Sequence, residues 1–463
     1  MKLIKMKKIF ILFFIFITYV SLSQAQWNLD QVGIQPGIDL MDIEIADGRN
    51  DGLQRIYVSS NSGNIYEWSY NGIWNNTLVS DGNYPGLINM AIGNGRNDGQ
   101  NRLYFNEHTS GGRVFEMSWN GNSWIKNLVT TLDSLNAPTS IIVGDGRGDG
   151  VGRLYIGGYP WGVTEYTWNG NYWSADTVLT TSYSESDGVI GNARNDIKNR
   201  LYINGDCPIE AEYNGSWSDQ YIVSCSPKLW ADALHIGDGR NDGVMRLYSN
   251  TEAGGKREFT WNGSSWDEVL ISMNGWRGDI HLAALKSDNL NRLYVSGSVH
   301  WTGSPAGADL VEYEWNVNTL NWDSTGVVVD AITGATGWVA SGNGRNDDTL
   351  RLYAPNFNTG IIHEITSVNP NYIQTTTISD IVQSEIKIFP NPAEDNIIVS
   401  IDKFTDEKIH ISITNVLGKI FYSTQYIPKS NHYIIDINQI PSGIYIVEVS
   451  INGFSFFERL VKK

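Results

Sequence analysis

Seven times along the chain, a turn bearing a basic residue and an aspartate runs straight into Arg-Leu-Tyr or Arg-Ile-Tyr. The arginines are Arg55, Arg102, Arg153, Arg200, Arg246, Arg292 and Arg351. They recur at a spacing of roughly 50 residues, the size of one supersecondary unit in a repeat protein. A unit of that size cannot bury its own apolar face; it must stack on its neighbours as a solenoid, propeller or array. Within each unit a polar stretch leads to an apolar run, then a Gly-Asp-Gly-type turn, then Arg-Leu-Tyr. A short loop follows, then Val/Ile-x-Glu-aromatic-x-Trp, Asn-Gly, Trp and a last apolar run. The Asn-Gly pairs at 71–72, 120–121, 169–170, 214–215 and 262–263 mark hairpins, since both residues accept positive φ. Four antiparallel strands per unit, A to D, are therefore expected, and no segment carries a helical period of useful length.

The ends of the array decide between ring and line. The seventh unit has Glu364 but no following Asn-Gly and no Trp, and residues 26–32, QWNLDQV, supply the missing strand. An N-terminal strand that completes the last sheet closes the ring and removes its free edges. The expected fold is all-β: a seven-bladed β-propeller over 26–366, then a linker over 367–384, then a small C-terminal β-sandwich over 385–463.

Glutamates recur at 67, 116, 165, 212, 258, 312 and 364. Glu67, Glu165, Glu212 and Glu258 follow their repeat arginines at one constant offset. A B–C hairpin centred on Asn61 would place Arg55 opposite Glu67 and Ile56 opposite Tyr66. The pairs Arg55–Glu67, Arg153–Glu165, Arg200–Glu212 and Arg246–Glu258 are thus expected to brace the sheets across strands. Seven copies of one acid suit a scaffold, not a catalyst.

The A–B turns, such as Asp47-Gly-Arg-Asn-Asp51-Gly52 and Asp238-Gly-Arg-Asn-Asp242-Gly243, resemble the FG-GAP repeat of integrin-type propellers, whose calcium loop runs Asp-x-Asp-x-Asp-Gly. The fifth position is Asp in all seven units, but the third is Arg49, Arg96, Arg147, Arg194, Arg240, Lys286 and Arg345. A cation there stands where calcium needs an oxygen donor. The turns are read as metal-free, each aspartate capping its own turn. No cofactor is expected, calcium being left only the coordination that Asp and backbone oxygen supply.

Lys2, Lys5, Lys7 and Lys8, the apolar run Ile9 to Leu22 and Ser23-Gln24-Ala25 read as a signal peptide over 1–25, too short for a membrane anchor. Its removal takes the net charge from −17 to about −21, since four of the 33 basic residues leave and all 50 acidic ones stay. The segment 384–463 is close to charge balance, so the repeats carry nearly all of that charge. Such a surface repels phosphate backbones and anionic lipid; nucleic acid is not an expected partner, no membrane span is expected in the mature chain, and a monomer is. The two cysteines, Cys207 and Cys225, are expected to form one local disulfide in an oxidising exterior.

Function should lie where the repeats differ. In a propeller the D–A and B–C loops share one face, and those loops hold Tyr84, His108, Trp161, Trp230, Trp276 with Arg277, Trp301 and Trp338. Rings grouped on one face suggest a binding surface suited to sugars. A second set stands at one shared offset ahead of the repeat arginines, on the strands that line the axis. Asp42, Asp187 and Asp279 are expected to converge near the channel mouth, with His235 and His281 in the register just beyond them. No nucleophile elbow, HExxH or phosphate loop is present, so catalytic residues are not assigned. The chain reads as a secreted or surface-held binding propeller for neutral glycans or glycoproteins. A hydrolase or lyase at the channel mouth, or a purely structural surface protein, are the alternatives.

The tail changes style. Phe389-Pro390-Asn391-Pro392, Asn415-Val416-Leu417-Gly418, Ser442-Gly443-Ile444-Tyr445 and the basic end Leu460-Val461-Lys462-Lys463 resemble the type A C-terminal sorting domain of the type IX secretion system of Bacteroidetes. The resemblance implies that the secretion machinery is a partner, and that the destination is the exterior or the outer-membrane cell surface.

Overall fold

The computed structural model describes residues 27–463 except 36–39, 81–88, 108–110, 133–136, 160–161, 181–186, 225–228, 230, 252–254, 274–277, 297–308, 330–337, 357–358, 369–385, 402–408, 416–418, 427–431 and 452–453. The chain divides into two compact units, 1–373 and 374–463. The first holds seven four-stranded antiparallel sheets, the blades of a propeller. Blade 1 comprises Leu40–Ala46, Arg55–Ser60, Ile65–Tyr70 and Trp74–Ser80. Blade 7 takes Ala340–Gly342, Arg351–Pro355 and Ile361–Ser367 from the C-terminal end of the array. Its outer strand is Trp27–Ile34, which pairs from Trp27↔Ser367 to Ile34↔Ile361. The ring is closed by its first strand, as expected.

The register within the blades corrects one expectation. Residues 60–64 form the turn of the first B–C hairpin, so Glu67 lies opposite Tyr57, not Arg55, and Ile56 lies opposite Trp68. The same tyrosine–glutamate pairing holds in all seven blades: Tyr104↔Glu116, Tyr155↔Glu165, Tyr202↔Glu210, Tyr248↔Glu258, Tyr294↔Glu312 and Tyr353↔Glu364. In blade 4 the hairpin is shorter, and Glu210 takes the buried place assigned to Glu212. Glu212 instead sits at the rim, bonded to Arg200 at 3.0 Å and Lys198 at 3.0 Å.

The turn cation is what grips the buried glutamate. Arg49 donates Nε to Glu67 Oε2 at 2.9 Å and brings Nη2 within 2.6 Å of Oε1 as an ion pair, while Arg55 stands off at 3.7 Å. Arg96, Arg147, Arg194, Arg240, Lys286 and Arg345 hold Glu116, Glu165, Glu210, Glu258, Glu312 and Glu364 in the same way. The repeat arginine turns to its own turn aspartate, as in Arg55–Asp51 at 2.7 Å, and does so in every blade. The first turn residue caps the loop: Asp47 accepts the amides of Asp51 and Gly52. The turn's carboxylates are thus committed to guanidinium and amide partners.

Each blade reads its neighbour through the same residues. The guanidinium of Arg49 lies 3.8 Å above the Trp119 ring of blade 2, and Arg96, Arg147, Arg194, Arg240 and Arg345 cover Trp168, Tyr213, Trp261, Trp315 and Tyr70. Each repeat tyrosine meets the outer tryptophan of the next blade edge-on, from Tyr57–Trp124 at 6.0 Å to Tyr353–Trp74 at 6.3 Å, a favoured quadrupole geometry. Trp27 takes this role against Tyr294 at 5.7 Å and lies under Lys286. That contact explains why the closing strand must carry a tryptophan. Gly48 is obligatory in the turn because a Cβ there would stand 2.7 Å from the Tyr57 hydroxyl.

Cys207 is buried and disulfide-bonded; Cys225, the other cysteine of the chain, lies outside the described residues. The second unit has a three-stranded and a four-stranded sheet, whose inner faces share one core including Ile388, Ile397, Val399, Ile411, Val447 and Leu460. This is the expected sandwich. Asn391 ties the Phe-Pro-Asn-Pro motif to the last strand, accepting the Val461 amide at 2.9 Å and donating to the Arg459 carbonyl at 2.5 Å.

Candidate functional site

The innermost strands of the seven blades begin around a cavity of about 330 Å³. Residues from every blade line it: Asp42 and Glu44 from blade 1, Asn89 from 2, Ser140 from 3, Asp187 from 4, Leu234 from 5, Asp279 and His281 from 6, and Trp338 beside blade 7. It therefore lies on the propeller axis. In blades 1, 3 and 5 strand A bulges at this level. In blade 1 the register slips between Leu40 and Ile43, which frees the Asp42 amide from the ladder, and the Ser59 hydroxyl accepts it at 3.1 Å. Asn106 and Ser296 accept the amides of Asn89 and Asp279 alike. A bulge that re-aims a side chain is a common device beside functional sites.

The three aspartates do converge, and each bridges two blades. Asp42 accepts its neighbour Ile43's amide at 2.8 Å and that of Met90 in blade 2 at 2.8 Å. Asp187 takes Gly188 and, from blade 5, Leu234; Asp279 takes Ile280 and Val339. Burial pushes Asp42 up to about 7, Asp187 up to about 8 and Asp279 up to about 6, against amide hydrogen bonds that pull each down. By surface area all three are only half-buried and face the cavity.

His235 and His281 meet across blades 5 and 6, ring centroids 4.9 Å apart, and His281 Nε2 lies 2.9 Å from Ser341 Oγ. Burial holds His235 down to about 4, and burial with its partner's charge holds His281 well below the usual range. Both imidazoles are neutral at pH 7. One carboxyl escaped the sequence reading. Glu44 stands before Arg55 as His235 stands before Arg246 and His281 before Arg292, and that shared polar register was its signal. Burial, then the charges of Asp42, Asp187 and Asp279, raise Glu44 to about 8.

Of the aromatic face set, Trp338 is described: half-buried, packed against the core between blades 7 and 1, and lining the cavity. Trp338 stands before Arg351 at the offset at which Asp42 stands before Arg55, so the sequence already placed it in both sets. Tyr84, His108, Trp161, Trp230, Trp276, Arg277 and Trp301 lie outside the described residues.

Comparison with known proteins addresses the tail first. Residues 387–463 match the family model of the secretion system C-terminal sorting domain. The chain is a type IX secretion substrate. The exported propeller is therefore delivered to the cell surface or the extracellular space. The chain as a whole is 26% identical over 168 residues to ulvan lyase NLR42 of Nonlabens ulvanivorans, a match spanning 35% of this chain and only 30% of that protein's length. Among solved structures, BBS1N in its complex with ARL6DN superposes at a TM-score of 0.50 with 13% identity, over 76% of this chain and 100% of that one. The WD40 β-propeller domain of Doa1 superposes at 0.47 with 11% identity, over 73% of this chain and 97% of that one. These structural likenesses concern the fold alone. No helix among the described residues is long and apolar enough to cross a membrane.

Proposed function

We propose that the exported propeller is a saccharide-binding protein whose site is the axial cavity, with Trp338 on its wall. The observation that carries this reading is the lining. All seven blades contribute to one pocket that combines carboxyl, amide, hydroxyl and imidazole groups with one indole. A volume of about 330 Å³ falls in the range of small-ligand sites and accommodates one or two sugar rings. Hydroxyl, amide and carboxyl groups suit hydroxyl recognition, and an aromatic wall suits a sugar face. A glycan array probed with the mature protein tests the reading. Binding to a polysaccharide class, weakened at least tenfold by Trp338→Ala, is expected; the same binding without that loss would move the site elsewhere.

A second reading, lyase or hydrolase action in the same cavity, is favoured by the partial likeness to an ulvan lyase. Carboxyls with raised pKa are also what general acid–base work requires. Its test is release of shortened or unsaturated products from polysaccharide. Turnover that survives replacement of Asp42, Asp187 and Asp279 would remove it.

A further inference from the structure

The cavity is asymmetric in how its acids are used. Asp42, Asp187 and Asp279 each give both carboxylate oxygens to backbone amides, one within the blade and one in the next. Those acids are inter-blade clamps. Glu44 faces the same space yet has no hydrogen-bond partner among the described residues. It is surrounded by Asp42 on its own strand and by Asp187 and Asp279 on others, while the nearby imidazoles of His235 and His281 carry no charge at neutral pH. Among the described residues no lysine or arginine lines the cavity, and the chain around it carries a net charge of −17. A cleft lined by one sign of charge focuses its field and concentrates counter-ions. One wall is an indole, Trp338, whose face attracts cations as well as sugar C–H groups.

Building on the saccharide reading, we infer that Glu44 anchors a positively charged amine on the ligand, so that the cavity selects amino sugars with a free ammonium over their N-acetylated counterparts. A carboxyl with no internal partner, in a field of acids, gains most from an incoming cation. Docking converts Glu44 from acid to carboxylate, and its proton leaves to the buffer. The aspartates, already holding amides, stay as clamps.

The experiment is titration calorimetry of the mature protein with glucosamine oligomers and with N-acetylglucosamine oligomers of equal length, in two pH 7 buffers of different ionisation enthalpy. The expected results are at least tenfold tighter binding of the free amine, release of protons on binding, and loss of both in Glu44→Gln. Glu44→Asp should keep part of each, and a melting temperature no lower than wild type in both variants would confirm that they fold. Equal affinity for the two oligomers, or wild-type affinity in Glu44→Gln, would overturn the charge inference and leave saccharide binding standing. Binding of neither oligomer, with a glycan array equally blank, would overturn the saccharide reading itself.

Discussion

Replacing Glu67 by alanine tests whether the turn cation and the strand C glutamate hold each blade. Glu67 is fully buried, accepts a hydrogen bond from Arg49 Nε, forms an ion pair with Arg49 Nη2 at 2.6 Å and lies 3.7 Å from Arg55 Nε. Removing one partner of a buried ion pair leaves the other uncompensated, at about 3–5 kcal/mol. Arg49 is only 20% exposed and held flat over Trp119, so it cannot swing out to water without giving up that contact as well. With an unfolding entropy near 2.1 cal/mol/K per residue, a propeller of roughly 340 residues should lose about 4–7 °C of melting temperature. Differential scanning calorimetry of Glu67→Ala, Arg49→Met and the double variant closes a thermodynamic cycle. The double variant should cost less than the sum of the singles by about 1–3 kcal/mol, because the shared penalty is an unpaired charge. Asp176→Ala is the control: its carboxylate, paired to Arg147, is 57% exposed, and its loss should cost less than about 1 kcal/mol. A Glu67→Ala shift no larger than that of Asp176→Ala, or strict additivity in the cycle, would refute the assignment of the brace.

Four further outcomes follow from the geometry. Asp42, Asp187 and Glu44 are raised from ordinary values of 3.8 to 4.5 up to about 7 to 8, so between those limits the folded state binds more protons than the unfolded. Stability should therefore fall as pH rises from about 4 to 8, and a melting profile that is flat there in the wild type, or as steep in Glu44→Gln, would contradict the burial argument. Asp149, lowered to about 2 by Arg153, works in the opposite window: its contribution is present above about pH 4 and is lost as the pH falls toward 2. Because the turn carboxylates are engaged by arginines and amides, a chelator should leave the melting temperature unchanged, and a drop of several degrees would show a metal in the turns. Trp27→Ala removes the ring that meets Tyr294 and Lys286, and should cost roughly 2–3 kcal/mol for a half-buried tryptophan; limited proteolysis should then cut first in blade 7.

Much of the architecture was legible because the repeat is a register device. The even spacing of the repeat arginines, the Asn-Gly hairpins and the stray Trp27 strand define four strands per blade and the closure, and the structure has them. What failed was a small offset within the hairpin. Spacing alone cannot tell whether a hairpin turns on Asn61 or over residues 60–64, and that choice decides whether Arg55 or Tyr57 faces Glu67. Glu212 was preferred to Glu210 for the same reason: both are acids on one strand, and only burial separates them.

The sequence by itself determined the number of blades, the direction of closure and the export tail, because each rests on local spacing and short motifs. It also placed Asp42, Asp187 and Asp279 on one level of the axis. Only the tertiary structure decided which partners those residues take. Amides of the next blade, the stacking of Arg49 on Trp119 and the isolation of Glu44 arise between strands of different repeats, which meet when the ring closes, and no periodicity within one repeat encodes them.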